Sequence, residues 1–136
     1  MRKNNEIRDS RAEDIAVLHL LSSHNVGLQF DPRRKFDFIA YNEKRPELRC
    51  GIEVKRLERT KTELQTYARN VAKRFAGSEI PVILMFVDEM KINGGYFSVV
   101  EPDAPRDLKP LNHKNFSREL EHVLAITSTN GKALDH

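Results

Sequence analysis

Three charged residues lie in two segments of strand-like composition. Asp37 belongs to the apolar segment 36–41, and Glu53 and Lys55 belong to the segment 49–55. Side chains alternate between the two faces of a β-strand, so Glu53 and Lys55 share one face. If the two strands form a hairpin that is symmetric about its polar loop, Asp37 lies opposite Glu53 or Lys55, with the Cβ atoms about 5 Å apart. The sequence therefore predicts two carboxylates and an ammonium group on one face of a sheet.

Two carboxylates a few ångströms apart repel each other unless a cation lies between them. Mg²⁺ binds one or two protein carboxylates together with phosphate oxygens and water molecules. A lysine beside such an ion can hold or deprotonate an attacking water molecule, because the charge of the metal lowers the pKa of the amine. These groups are the ones that phosphodiester hydrolysis requires. The charges alone leave open a second interpretation, a cross-strand salt-bridge cluster on a solvated sheet face.

The surrounding patterns predict the elements that carry these residues. Capping boxes at Ser10 and Thr60, each followed by apolar residues at helical spacing, predict a helix over residues 10–22 and a second one that ends at Gly77. A third helix is expected over about residues 116–126. Strands are expected over residues 25–30, 36–41, 49–55, 80–87 and 96–100. This order predicts an α/β fold with one mixed sheet flanked by helices.

The composition is that of one ordinary globular domain. The 136 residues are 39% hydrophobic and 32% charged, and the domain is expected to cover residues 1–127, with residues 128–136 as a flexible tail. The longest apolar run, residues 80–87, is too short to span a membrane, and no signal peptide is visible. Cys50 is the only cysteine, which excludes an internal disulfide and a cysteine-based zinc cluster. A cytoplasmic protein with no membrane partner is expected.

Positive charge is concentrated in the middle of the chain. Residues 41–76 contain ten Lys and Arg against five Asp and Glu, whereas residues 77–136 contain six against nine. A polyanionic partner is therefore expected to contact the middle of the chain. Glycine motifs for nucleotide cofactors and the G-x-S-x-G motif of serine hydrolases are absent from the sequence, so those functions have no support.

Asp37, a gap of fifteen residues and then Glu53-Val54-Lys55 resembles the D…(D/E)-x-K signature of the restriction-endonuclease-like, or PD-(D/E)xK, nucleases. The predicted elements over about residues 10–88 are similar to the core of that family, which is a helix, a three-stranded meander, a helix and a strand. The resemblance implies a restriction-endonuclease-like core (α-β-β-β-α-β) with an extra strand and a C-terminal helix. The layout is also similar to small archaeal-type Holliday junction resolvases and to nuclease domains of prokaryotic defence and mobile-element proteins. Phe36 replaces the proline that usually precedes the motif aspartate.

The resemblance implies a metal-dependent nuclease and gives each motif residue a role. Asp37, Glu53 and the Val54 carbonyl oxygen would hold Mg²⁺ or Mn²⁺, and Lys55 would activate water. Glu13 matches an acidic residue that many members carry on the first helix, although its capping-box position explains it equally well.

Some members of the family also carry a Gln and a Tyr on the helix that follows the motif. Gln65 is a candidate for positioning the lysine or contacting phosphate. Tyr67 lies on the apolar stripe of the predicted helix and is expected in the core.

Basic residues near the motif are expected to contact the phosphate backbone of a nucleic acid. They are Arg33, Arg34, Lys35, Arg56, Arg59, Lys61 and Arg69, whereas Lys73 and Arg74 are expected on a solvated helix face. DNA is the expected substrate, and a homodimer would supply two sites for cutting both strands. Two alternatives stay open: an RNA-directed nuclease, because the motif does not distinguish the sugar, and a non-catalytic nucleic-acid-binding or assembly subunit with the same fold.

Overall fold

The computed structural model describes residues 2–58, 61–100 and 108–126, and within them the side chains of residues 11–58, 62–100 and 108–126. These residues form an α/β fold, which confirms the predicted class. The elements are α1 (Arg2–Leu21), β1 (Val26–Phe30), β2 (Phe38–Asn42), β3 (Arg45–Arg56), α2 (Lys61–Lys73), β4 (Val82–Val87), β5 (Tyr96–Val100), β6 (Lys109–Pro110) and α3 (His113–Val123). The predicted flexible tail, residues 128–136, lies outside the described residues.

The described strands form one mixed sheet in the order β1-β2-β3-β4-β5-β6. Strands β3 and β4 pair in parallel, and the other neighbours pair antiparallel. A parallel pair needs a crossover connection, and α2 provides it between β3 and β4. The expected mixed sheet is therefore confirmed.

Helices cover both faces of the sheet. On one face α1 and α3 bury Leu20 and Phe116 against Phe38 and Ile52. On the other face α2 and the turn that follows it bury apolar side chains against Ile39, Leu84 and Phe86; those of α2 are Leu64, Ala68, Val71 and Ala72, and that of the turn is Phe75. No described helix is both long enough and apolar enough to cross a membrane.

Several element boundaries differ from those expected. Helix α1 begins at Arg2, so Ser10 lies inside the helix and the predicted capping box there is wrong. Helix α3 begins three residues early because Asn112 caps it, accepting a hydrogen bond of 2.9 Å from the Asn115 N–H. Pro110, expected in a loop, belongs to the short strand β6.

The segment before β2 is a loop, not a strand, and this reverses the predicted direction of Phe36. Its ring was expected on the face of Phe38, but it stacks on Phe75 of the α2 face with the centroids 5.5 Å apart. Gly51 makes room for it, because a Cβ at that position would lie 2.5 Å from the nearest Phe36 ring atom. Gly51 therefore helps to fix the chain one residue before Asp37.

Replacing Gly51 by Ala is expected to destabilise the fold by about 1–3 kcal/mol, the usual range for overpacking. Unfolding by urea, followed by circular dichroism, measures the change. In a Phe36→Ala background the same substitution should cost much less, because the ring that it strikes is gone. An equal cost in both backgrounds would contradict the role assigned to this contact.

Candidate functional site

The Asp37 carboxylate is fixed to the backbone of β3. In the β2–β3 ladder Phe38 pairs with Ile52, and continuing this register by one residue puts Asp37 opposite Glu53. The Asp37 N–H donates to the Ile52 carbonyl at 3.0 Å, and the Val54 N–H donates to Asp37 Oδ2 at 2.7 Å. Asp37 thus ends the ladder with its side chain, which leaves little freedom for the carboxylate to turn.

Glu53 is buried, with 8% of its surface exposed. Its Oε2 atom lies 3.3 Å from Lys55 Nζ and 3.4 Å from Arg74 Nη2. Lys55 is partly exposed, so its ammonium group lies between a buried carboxylate and solvent. The charged groups of the predicted motif are therefore close together at the carboxyl end of β3.

The pKa of Glu53 is raised above its ordinary value. Burial is the largest cause, and the negative charge of Asp37 adds to it. Lys55 and Arg74 act in the opposite direction without cancelling these effects. The interaction between Asp37 and Glu53 is therefore repulsive, as expected for neighbouring carboxylates.

A cleft of about 200 Å³ opens beside Asp37. We call it the Asp37 cleft, and its lining residues are Glu13, Asp37, Val54, Lys55, Arg56, Glu58 and Tyr67. Glu53 does not line it, because the Glu53 carboxylate is turned toward Lys55 and Arg74. The cleft therefore joins Asp37 and Lys55 to residues of both helix layers, whereas Glu53 lies behind them.

Glu13 and Tyr67 approach the Asp37 cleft from helices on opposite faces of the sheet. Glu13 is half-buried on α1, and its alternative role as a capping residue fails because the helix begins at Arg2. Tyr67, expected in the core, only partly fits that description. Its ring contacts Phe86 edge-on at 5.9 Å between centroids, yet it also lines the cleft.

Gln65 is exposed on α2 and does not line the Asp37 cleft. Helical spacing explains the difference between Gln65 and Tyr67, because residues two apart on a helix do not share a face. Gln65 is therefore not brought together with the motif, whereas Tyr67 is.

The basic residues that were predicted to contact phosphate lie in different environments. Arg56 lines the cleft, but its guanidinium lies 3.1 Å from Glu58 and 3.8 Å from Glu89. Arg69 is exposed on α2. Arg59 and the side chain of Lys61 lie outside the described part of the chain.

Arg33, Arg34 and Lys35 are exposed in the loop before Asp37. The Asp31 carboxylate holds this loop by accepting hydrogen bonds from the N–H groups of Arg33, Lys35 and Phe36, at 3.0, 2.8 and 2.9 Å. Arg34 takes a left-handed conformation with φ of 57°. The loop thus presents basic side chains on a hydrogen-bonded backbone.

Arg74 and Glu58 were not singled out as site residues, and Arg74 was expected on a solvated helix face. The guanidinium of Arg74 contacts Glu53 and lies 5.6 Å from the centroid of the Phe75 ring. The sequence carries no signal for this contact, because Arg74 and Glu53 meet only through the packing of α2 on the sheet.

The donor set fits a hard cation such as Mg²⁺. The described residues contain no group of three or more His, Cys, Asp or Glu that could hold a metal, but Mg²⁺ needs only one or two carboxylates beside neutral oxygens. Asp37 and Glu53 supply the carboxylates. The N–H and C=O of one strand residue point toward the same neighbouring strand, and the Val54 N–H points at Asp37. The Val54 carbonyl therefore faces the Asp37 side, beyond the end of β2.

Removing the Asp37 carboxylate should leave the Val54 N–H without its acceptor. We expect Asp37→Ala to destabilise the chain by about 1–3 kcal/mol, the usual effect of an unsatisfied buried donor. Asp37→Asn keeps an oxygen at this position and should cost less. Urea unfolding of both variants tests this, and equal losses would show that the hydrogen bond contributes nothing.

Glu53→Gln should make the fold more stable at neutral pH. A raised pKa means that the folded chain binds the proton more tightly than the unfolded chain, so ionised Glu53 weakens the fold at pH 7. The gain should shrink as the pH falls and Glu53 becomes protonated in both states. Thermal unfolding between pH 4 and 8 measures it, with the exposed Glu43→Gln as the control. A variant less stable than the wild type at pH 7 would contradict a net destabilising effect of the Glu53 charge.

Comparisons of the chain with protein-family models, with curated proteins and with solved structures found no match.

Proposed function

We propose that the chain is a metal-dependent nuclease that hydrolyses phosphodiester bonds of DNA. The observation that carries the proposal is the meeting of Asp37, Glu53 and Lys55 at one end of β3, beside an open cleft. Charged groups of both signs at a partly buried position cost stability, which the raised pKa of Glu53 reflects. Such an arrangement is typical of functional sites.

We propose also that the fold contains a restriction-endonuclease-like core. Helix α1, the meander β1-β2-β3, the crossover helix α2 and the parallel strand β4 follow the order of that core. Glu53 and Lys55 lie in β3, the third strand of the meander, and Asp37 lies in the loop directly before β2. The order of these elements in this chain supports the proposal.

In this mechanism Asp37, Glu53 and the Val54 carbonyl would hold Mg²⁺ or Mn²⁺. The chemistry supplied there would be positive charge near the phosphate in the transition state and a lowered pKa of a water molecule. Val54 contributes twice, since its N–H holds the Asp37 carboxylate in place. If Glu53 rotated away from Arg74, its carboxylate would become the second carboxylate in this set of ligands.

Lys55 positions the attacking water molecule. Its Nζ lies 3.3 Å from Glu53 and its side chain lines the Asp37 cleft, so the ammonium group can reach both the carboxylates and a phosphate in the cleft. A positive charge beside the water molecule favours its deprotonated form. Glu13 and Tyr67 line the same cleft and can orient the substrate or the water molecule through hydrogen bonds.

A second candidate function is a nucleic-acid-binding or assembly subunit without catalysis. It is favoured by the two ion pairs that Glu53 makes with Lys55 and Arg74, which would satisfy the carboxylate without any metal. Calorimetric titration of the protein with Mn²⁺ distinguishes the two candidate functions. The nuclease binds the ion through Asp37 and Glu53 and loses it in Asp37→Asn, whereas the binding subunit takes up none.

Cleavage itself is tested with linear, circular, single-stranded and branched DNA and with matched RNA, in Mg²⁺ or Mn²⁺. We expect cleavage that EDTA abolishes and that Lys55→Ala lowers by about 10²–10⁴-fold, the usual contribution of a proton-transfer or water-positioning group. Lys44→Ala, at an exposed lysine of the β2–β3 turn, is the matched control and should cleave like the wild type.

Unchanged cleavage by Lys55→Ala would overturn the assigned mechanism. Cleavage of RNA alone would retain the mechanism and replace the substrate. No cleavage together with no metal binding would favour the second candidate.

A further inference from the structure

A second depression, of about 280 Å³, includes Arg74 in its lining but none of Asp37, Glu53 and Lys55. It is lined by Lys35, Phe36, Arg74 and residues 75–78. We call it the Lys35–Arg74 depression. Its two charged lining residues, Lys35 and Arg74, are both cationic, so it differs from the Asp37 cleft, which is lined by acidic and basic residues together.

The guanidinium of Arg74 is held by two contacts that use only part of its hydrogen-bonding capacity. Nη2 lies 3.4 Å from Glu53 Oε2, and the guanidinium carbon lies 5.6 Å from the centroid of the Phe75 ring. The side chain is nevertheless 57% exposed. Because arginine has five N–H donors in a fixed fork, donors remain for a second anionic oxygen while Glu53 holds the group.

Lys35 approaches the same depression from the loop that leads into Asp37. Lys35 precedes Asp37 by two positions, so their Cα atoms lie at most about 7 Å apart. Phe36, between them, is fixed by its stacking on Phe75, and the Lys35 N–H donates to Asp31 at 2.8 Å. The depression is therefore close to Asp37, the Lys35 backbone is held by Asp31, and the Arg74 guanidinium is held by Glu53.

We propose that the Lys35–Arg74 depression binds a backbone phosphate of the nucleic acid, adjacent to the phosphate that enters the Asp37 cleft. The inference rests on the proposed nuclease function and assigns Arg74 to substrate binding. A nucleic-acid strand carries evenly spaced phosphates, so a strand seated at the cleft brings a neighbouring phosphate to a site of this kind. The phosphate would share Arg74 with Glu53 and so link substrate binding to the carboxylate.

The test is binding of a fluorescently labelled DNA duplex to the full chain in EDTA, measured by anisotropy at several KCl concentrations. Lys35→Gln and Arg74→Gln should each weaken binding by about three- to tenfold near 0.1 M salt and reduce the log–log salt slope by about 1, the effect of losing one phosphate contact. Lys73→Gln is the matched control, since Lys73, the last residue of α2 and the neighbour of Arg74, is exposed but does not line the depression. It should change binding much less.

Equal losses for Lys73→Gln and Arg74→Gln would overturn the proposal, because they would indicate only a general charge effect. Wild-type affinity in Lys35→Gln and Arg74→Gln, or no binding by the wild type, would overturn it as well. Thermal unfolding of each variant checks that the fold is intact. Cleavage that depends on Lys55, together with unaltered binding by both variants, would reject the depression and retain the nuclease. Binding that depends on Lys35 and Arg74 without any cleavage would do the reverse.

Discussion

The alternation of side chains along β3 couples the hydrophobic core to the position of every charged residue at the site. Ile52 must face α1 and α3, where it is fully buried with Phe38, and this requirement sends Glu53 to the opposite face. A shift of one residue would turn Ile52 toward the α2 face and send Glu53 into the apolar core against α1 and α3. The packing of the core therefore determines which residue lies opposite Asp37, although no core residue touches the substrate in the proposed mechanism.

Two opposing influences act on the protonation of Glu53. Burial and the charge of Asp37 favour its protonated form, while Lys55 and Arg74 favour the carboxylate. The pKa of Glu53 stays raised despite these two cations, with burial as the largest cause. Residues held in this way commonly serve function at the expense of stability. A cation or a phosphate bound nearby would change that balance, so ligand binding and stability should be linked at this position.

The sequence was sufficient to predict the features that depend on local pattern. The alternating segments around Asp37 and Glu53, and the apolar run that became β4, predicted the hairpin and the crossover, and they limited the partner of Asp37 to Glu53 or Lys55. Features that depend on tertiary packing were missed. Arg74 meets Glu53 only when α2 docks on the sheet, and Phe36 changes face because β2 begins at Phe38, two residues later than the composition suggests. Ser10 and Glu13 have the spacing of a helix start, but this spacing also fits a helix interior.

The hydrogen bonds of Asp31 have a consequence for molecular recognition. Three backbone N–H groups converge on one carboxylate, so the basic loop acquires its shape when the chain folds, before any partner arrives. Ordering a residue costs roughly 1–2 kcal/mol of conformational entropy. A partner that meets a preorganised loop avoids much of that cost, and more of its contact energy appears as affinity. Asp31, which is itself negatively charged, would in this way strengthen the binding of an anion.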